Sequence, residues 1–393
     1  MKAAAKRFAR EAVAVRVPFH HRLFYWLAYL KLAKHGKQVF SALEDAKYED
    51  GPLKRRYDKW CDRINERLIG RGEEPAPIEV PTFAHGELSI VDLRWLMAQN
   101  VPFVIRDGAR HLPIKNWTLD YLEEVAGDCD VPINQAQDQP SNDTERPTKA
   151  HHYYDFRRGK LREVAQSIRD GGKMRISTAE DVMHERGGRL RQDLGLDYWE
   201  DVSGWSDNQK RWLHSRMMAG KVAGAQLLMQ PEGAFTLWHA EPGDNFFVLA
   251  RGVKHWTMAH PYYTPAMRPR VKQTTNYIGS NIDVRESREV QRQRGFDGYL
   301  NIPKIKLTMR PGDVLRVPNH WWHTVQTEPG DYTLAATIRA GAMPNLVGPG
   351  MMFLRWRDPE YLKMARDFFA EGRVYDRHIG FPRKSRSESD KTG

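Results

Sequence analysis

The spacing of apolar residues divides the chain into two kinds of region. From residue 1 to about 72 they recur at helical intervals, as in Leu53, Tyr57, Trp60, Ile64 and Leu68, within Ala- and Lys/Arg-rich sequence. A Pro/Gly-rich linker (GRGEEPAPIEVP, residues 70–81) closes this block. The next stretch is mixed. It predicts a helix over 88–99, a strand over 101–108 stopped by Asp107-Gly108, and a helix opening at Thr118. A polar loop over 135–150 follows, then a helix over 152–171 and Trp-containing helices over 193–218. At residue 222 the pattern changes. Short apolar runs (AGAQLLMQ, AFTLWHA, NFFVLARG, KHWTMAHP, KIKLTMRPGD, VLRVPNH, YTLAATIRA) alternate with Gly/Pro turns up to 337, as in a sandwich or barrel. A polar insertion over 285–293 interrupts the series, a helix is expected over 358–371, and the end from 383 is a polar tail.

Composition narrows the class. Hydrophobic residues at 40% and aromatics at 11% exclude wholesale disorder. Cys61 and Cys129 cannot build a disulfide framework, and neither lies in a CxxC, so a reducing, cytoplasmic setting without cysteine zinc sites is expected. The net charge of +11 is concentrated early: residues 1–71 carry 17 Lys+Arg against 8 Asp+Glu. Such a segment is either a solvated helical face or a dock for an acidic carrier protein or anionic surface. Nucleic acid is not favoured, since neither zinc-finger spacing nor a basic stripe interleaved with aromatics is present. The early apolar run LFYWLAYL, bracketed by Arg22 and Lys31, falls far short of the ~20 residues of a transmembrane helix.

The chemistry concentrates in two motifs. On a strand, residues two apart share a face, so His239 and Glu241 of Trp238-His239-Ala240-Glu241 form a two-point clamp for a divalent metal. A second histidine from a distant strand would complete a 2-His-1-carboxylate triad with positions left for co-substrate and dioxygen. PGDVLRVPNHWWH supplies it best through His323. His320 competes, although its place after Pro318-Asn319 suggests a turn with a supporting or surface role.

The surrounding pattern is specific. Thr236 lies three residues before His239, Asn245 six after it, and Gly252-Val253-Lys254 follows. Pro311, Gly312, Asp313, Pro318, Trp321, Trp322 and His323 form a second block, and VPFVIRDG with NWTLDYLEEVAGD an early one. In these the chain resembles the JmjC and cupin-like 2-oxoglutarate oxygenases, in particular the group of the hypoxia-response asparaginyl hydroxylase, across residues 101–341. The resemblance implies an α+β fold with a double-stranded β-helix (jelly-roll) core at 222–341, wrapped by residues 82–221. The basic helical extension 1–72 and linker 73–81 precede it, and a C-terminal helix and tail, 342–393, follow. It further implies Fe(II) on His239, Glu241 and His323, with 2-oxoglutarate and O2 as co-substrates. Lys254 and Thr236 would bind the distal carboxylate, while Asn245 and Thr337 would line the co-substrate region. Three departures stand out: Glu241 where much of this subgroup has Asp, Thr337 where relatives commonly place an Asn after the last core strand, and KMRIS (173–177) where the hypoxia enzyme has a carboxylate-binding tyrosine.

For the substrate, Arg339, Trp238, Trp322 and Arg251 are the candidates, and either a small molecule or biosynthetic intermediate or a peptide side chain would suit them. A non-catalytic metal-binding cupin module is the alternative from another class. Residues 358–371 would either form a homodimer, as such helices do in relatives, or pack on their own barrel.

Overall fold

The computed structural model describes residues 1–35, 52–69, 75–136, 157–195, 222–241, 243–269 and 278–340. Three helices come first: α1 (Lys2–Glu11), α2 (Phe19–His35) and α3 (Pro52–Ile69). After β1 (Thr82–Ala84) come α4 (Ile90–Ala98), β2 (Phe103–Arg106) and α5 (Leu119–Ala126). Thr118 caps α5 by accepting from Tyr121 N at 3.1 Å, which satisfies one of the N–H groups that a helix start leaves without a partner. Then follow β3 (Asp130–Gln135), β4 (Arg157–Lys160), α6 (Leu161–Arg169), β5 (Met174–Ala179) and α7 (Arg189–Asp193).

The barrel strands are β6 (Val222–Gln230), β7 (Phe235–Ala240), β8 (Asp244–Arg251), β9 (Lys254–Ala259), β10 (Ile278–Gly279), β11 (Ile305–Met309), β12 (Val314–Val317), β13 (Trp322–Thr327) and β14 (Thr333–Ala340). Two short helices precede β11: α8 (Arg288–Gln293), in the polar insertion, and α9 (Asp297–Leu300), just after it. Nine strands form one sheet in the order β1-β2-β12-β8-β14-β6-β5-β3-β4. Five form the other, β10-β7-β13-β9-β11. Between the sheets lie Val104, Phe247, Leu249, Trp256, Met258, Leu315 and Val325. This is the α+β jelly-roll expected from the alternating runs.

One expected helix is partly a strand. Residues 157–160 pair antiparallel with β3, Asp130 against Lys160 and Ile133 against Arg157, and only then does α6 begin. That pairing is tertiary and carries no local period. The helices expected within 196–218 and 358–371 lie outside the described residues.

The N-terminal helices pack on the barrel. Tyr25, Trp26, Tyr29, Tyr57, Cys61 and Ile64 share a core with Trp238, Tyr262, Tyr299 and Trp322. The link between α1 and α2 is tied down by two tyrosines: the Tyr263 hydroxyl accepts from Val15 N and donates to Val15 O, both at 3.1 Å. The Tyr262 hydroxyl does the same with Val17, at 2.8 and 3.0 Å. Among the described residues no helix is long and apolar enough to cross a membrane.

Candidate active site

His239 on β7 and His323 on β13 are direct cross-strand partners, with ring centroids 4.0 Å apart. Each Nδ1 lies against the carbonyl two residues earlier in the chain, Leu237 O at 2.8 Å and Trp321 O at 2.9 Å. A carbonyl accepts only from N–H, so it fixes the tautomer with the lone pair on Nε2, as a metal ligand requires. Burial lowers both imidazole pKa values; burial and then the neighbouring His239 push that of His323 down to about 3. Both rings are therefore neutral.

Thr236 poses a parity problem, because three residues along a regular strand is the opposite face. The pairing resolves it. His239 faces His323 but Thr236 faces Val325, so three steps on β7 match two on β13. This bulge returns Thr236 to the side of the histidines.

Glu241 continues the His239 face just beyond β7. Burial alone would raise its carboxyl pKa, but the Arg339 guanidinium beside it outweighs that and holds it below the usual range. Arg339, on β14 of the opposing sheet, grips the carboxylate with two nitrogens: Nη2 at 3.2 Å from Oε1, and Nη1 on Oε2. Its Nε donates to Gln226 Oε1 at 3.4 Å, which also accepts from Thr337 Oγ1 at 3.3 Å. Asn245 is the cross-strand partner of Arg339, and its buried Oδ1 has no hydrogen-bond partner among the described residues.

The other end of the interior is cationic. Gly252 turns β8 into β9 at φ 78°, where a Cβ would come within 2.2 Å of Tyr332 O, so only glycine delivers Lys254 in this way. Lys254 is 1% exposed and donates to Gln230 Oε1 at 2.5 Å and Thr327 Oγ1 at 3.2 Å. Burial and then the nearby Arg175 lower its pKa to about 7. Arg175 itself is fully buried and donates to Asn134 Oδ1 at 3.2 Å and Phe235 O at 2.8 Å. It stands in the KMRIS stretch noted above.

The structure thus brings His239, Glu241, His323, Arg339, Thr337 and Asn245 to one end, and Lys254 to the other. Trp238 and Trp322 are placed elsewhere. They face the core shared with the N-terminal helices, where Trp322 Nε1 donates to Thr264 Oγ1 at 3.0 Å. Arg251 is exposed, with its guanidinium 4.6 Å from the centre of the Tyr332 ring. His320 is not on the surface; it is 2% exposed, and its backbone N–H donates to Glu241 O at 2.6 Å. Its φ of 60° is uncommon for a residue with a side chain. Asp244 holds that turn, accepting from Asn319 N at 3.0 Å and pairing with buried Arg316 at 2.5 Å. Gln226 and Gln230 went unnoticed in the sequence. They are four apart on β6, hence on one face, and each serves one end of the site.

The donor set suits Fe(II): two neutral imidazoles with anchored Nδ1 atoms and an ionised carboxylate on the same strand face. As the side chains stand, no three His, Cys, Asp or Glu groups among the described residues are placed to hold a metal together. Glu241 is held by Arg339.

Comparison with known proteins agrees with the fold. A family model described as a cupin-like domain matches residues 90–338. HSPB1-associated protein 1 of Homo sapiens is 32% identical over 97 residues, 24% of this chain and 19% of that protein. Jumonji C domain-containing protein 5 of Drosophila melanogaster is 24% identical over 245 residues, 60% of this chain and 53% of that protein. Lysine-specific demethylase JMJ30 of Arabidopsis thaliana is 20% identical over 237 residues, 60% of this chain and 49% of that protein. The chain spans from about a fifth to about half of the length of these relatives. With that model running from α4 to the last barrel strand, the chain belongs to the JmjC/cupin-like domain family.

Proposed function

We propose that this protein is an Fe(II)- and 2-oxoglutarate-dependent oxygenase acting on an unactivated C–H bond of a small molecule or biosynthetic intermediate. The observation that carries the reading is a neutral histidine pair and a buried lysine in one barrel interior, at opposite ends of one strand. His323 and Thr327, the latter bonded to Lys254, are four residues apart on β13, roughly 13 Å at strand rise. A five-carbon acid with a carboxylate at each end suits that separation when one end is held at the histidines and the other at the lysine. A buried carboxylate without a cation is costly, and Lys254 supplies the charge, with Thr327 and Gln230 as its neutral anchors. Thr236 would add a hydroxyl.

In this reading His239, His323 and Glu241 hold Fe(II), which when bound supplies the oxidative activation of O2 with 2-oxoglutarate. The residues around it position and exclude water. Trp256 stacks on His323 with centroids 5.5 Å apart, and Phe247 packs edge-on to Trp256 at 4.9 Å, closing the interior on that side. Arg339 offers a cation to an acidic substrate. The second reading is a peptide substrate, motivated by the demethylase among the relatives.

Anaerobic titration of the metal-free protein with Fe(II) and then 2-oxoglutarate tests the proposal. A weak visible charge-transfer band is expected, lost in His239→Ala and requiring far more 2-oxoglutarate in Lys254→Ala. Iron binding with no band at any 2-oxoglutarate concentration would leave a metal-binding cupin module of another chemistry.

A further inference from the structure

The carboxylate that the reading above assigns to the metal already has an occupant. Arg339 and Glu241 form a forked ion pair whose side chains are only 5% and 13% exposed, and the fork uses both carboxylate oxygens. A carboxylate has lone pairs for more than one partner, yet a metal and a guanidinium drawing on the same two oxygens place like charges side by side. The glutamate is long enough to reach across to β14. A second acceptor stands opposite Arg339. Across the β8–β14 ladder stands Asn245, whose buried Oδ1 has no hydrogen-bond partner among the described residues. An acceptor of this kind costs free energy until a donor reaches it. Gln226 accepts from Arg339 Nε at 3.4 Å, a contact separate from the Nη atoms that hold Glu241.

We propose that Arg339 is a latch on the metal-binding carboxylate: it holds Glu241 while the metal is absent. Metal binding at His239 and His323 transfers Glu241 to the metal and Arg339 to Asn245 and to a carboxylate of the organic ligand. This rests on the metal-site reading above. Because linkage is reciprocal, an anion that takes Arg339 must strengthen metal binding by the same factor that metal strengthens the anion. Arg339 acts through Glu241 and is thus a positioning residue.

The test is Mn(II) affinity of the full chain, with free Mn(II) read by electron paramagnetic resonance. Wild type, Arg339→Gln, Arg339→Lys and His323→Ala are compared, and circular dichroism and thermal melting check their folding. The latch predicts that Arg339→Gln binds Mn(II) about tenfold or more tightly than wild type, with Arg339→Lys, which lacks the fork, in between. Succinate, as a carboxylate probe, should strengthen Mn(II) binding in wild type and much less in Arg339→Gln. Equal or weaker binding by a folded Arg339→Gln, or an equal succinate effect in both, overturns the latch. If His323→Ala abolishes binding in that case, the metal site stands and only the latch falls. If no variant binds Mn(II), both fall together.

Discussion

The two ends of the barrel interior treat buried charge in opposite ways. At the histidine end the carboxylate of Glu241 and the guanidinium of Arg339 compensate each other. At the far end Lys254 has Gln230 and Thr327 as its bonded partners, and the nearest charge acting on it is another cation, Arg175. A self-compensated pair is stable as it stands and must be opened to be used. A cation held among neutral groups is kept there at a cost and gains most when an anion arrives. The site is therefore poised at one end and closed at the other.

The sharpest way to break this contrast is His323→Ala. Losing even a group that orients a ligand typically weakens metal binding about 10–100-fold, so losing the ligand itself should weaken Mn(II) binding at least about hundredfold. Lys254→Met probes the other end. A hydrogen bond to a charged group contributes about 1.5–3 kcal/mol, so 2-oxoglutarate should bind roughly ten- to a hundredfold more weakly by anaerobic calorimetry. Mn(II) affinity without 2-oxoglutarate should hardly change; a parallel fall in both would show that the ends are one unit.

A pH series sharpens the picture. Lys254 titrates at about 7 when folded, against a usual 10.5. Between those values the unfolded chain binds the extra proton, so this group's contribution makes stability rise with pH across that window. Below about 7 the lysine is charged in both states and its burial cost is fully present. The ligand-free Lys254→Met variant should thus be more stable than wild type in urea at pH 7, with the gap narrowing towards pH 10. Over the same range wild-type 2-oxoglutarate affinity should fall by up to about tenfold per unit, as the lysine loses its proton. Flat behaviour in both would remove Lys254 as the anion-binding cation. The smallest effect is expected from Arg251→Ala, whose exposed contact with Tyr332 is of a kind that contributes about 0.5–1 kcal/mol. Denaturation should register at most that, with 2-oxoglutarate binding unchanged.

Much of this was legible in the sequence because it rests on local period and spacing. His239 and Glu241 share a face by the two-residue strand repeat, and the PGD and PNH turns announce the strand that carries His323. What stayed hidden depends on partners far away in sequence. The bulge that brings Thr236 round exists only in the pairing of β7 with β13. Gln226 and Gln230 sit in an apolar run that reads as plain core, and nothing local says that each meets a cation from another strand. Arg175 lies within KMRIS, a stretch whose sequence shows only that a tyrosine is missing, although its burial near Lys254 makes it part of the cationic end. Trp238 and Trp322 stand next to His239 and His323 in sequence, and for that reason point away from them in space.

The two tyrosine clamps on Val15 and Val17 have a consequence for the chain's birth. Each joins residues 245 or more positions apart. At about 5–20 residues per second, the segment at 15–17 waits roughly 12–50 seconds on the ribosome before its partners have even been made. The link between α1 and α2 is therefore made well before the tyrosines that hold it in place.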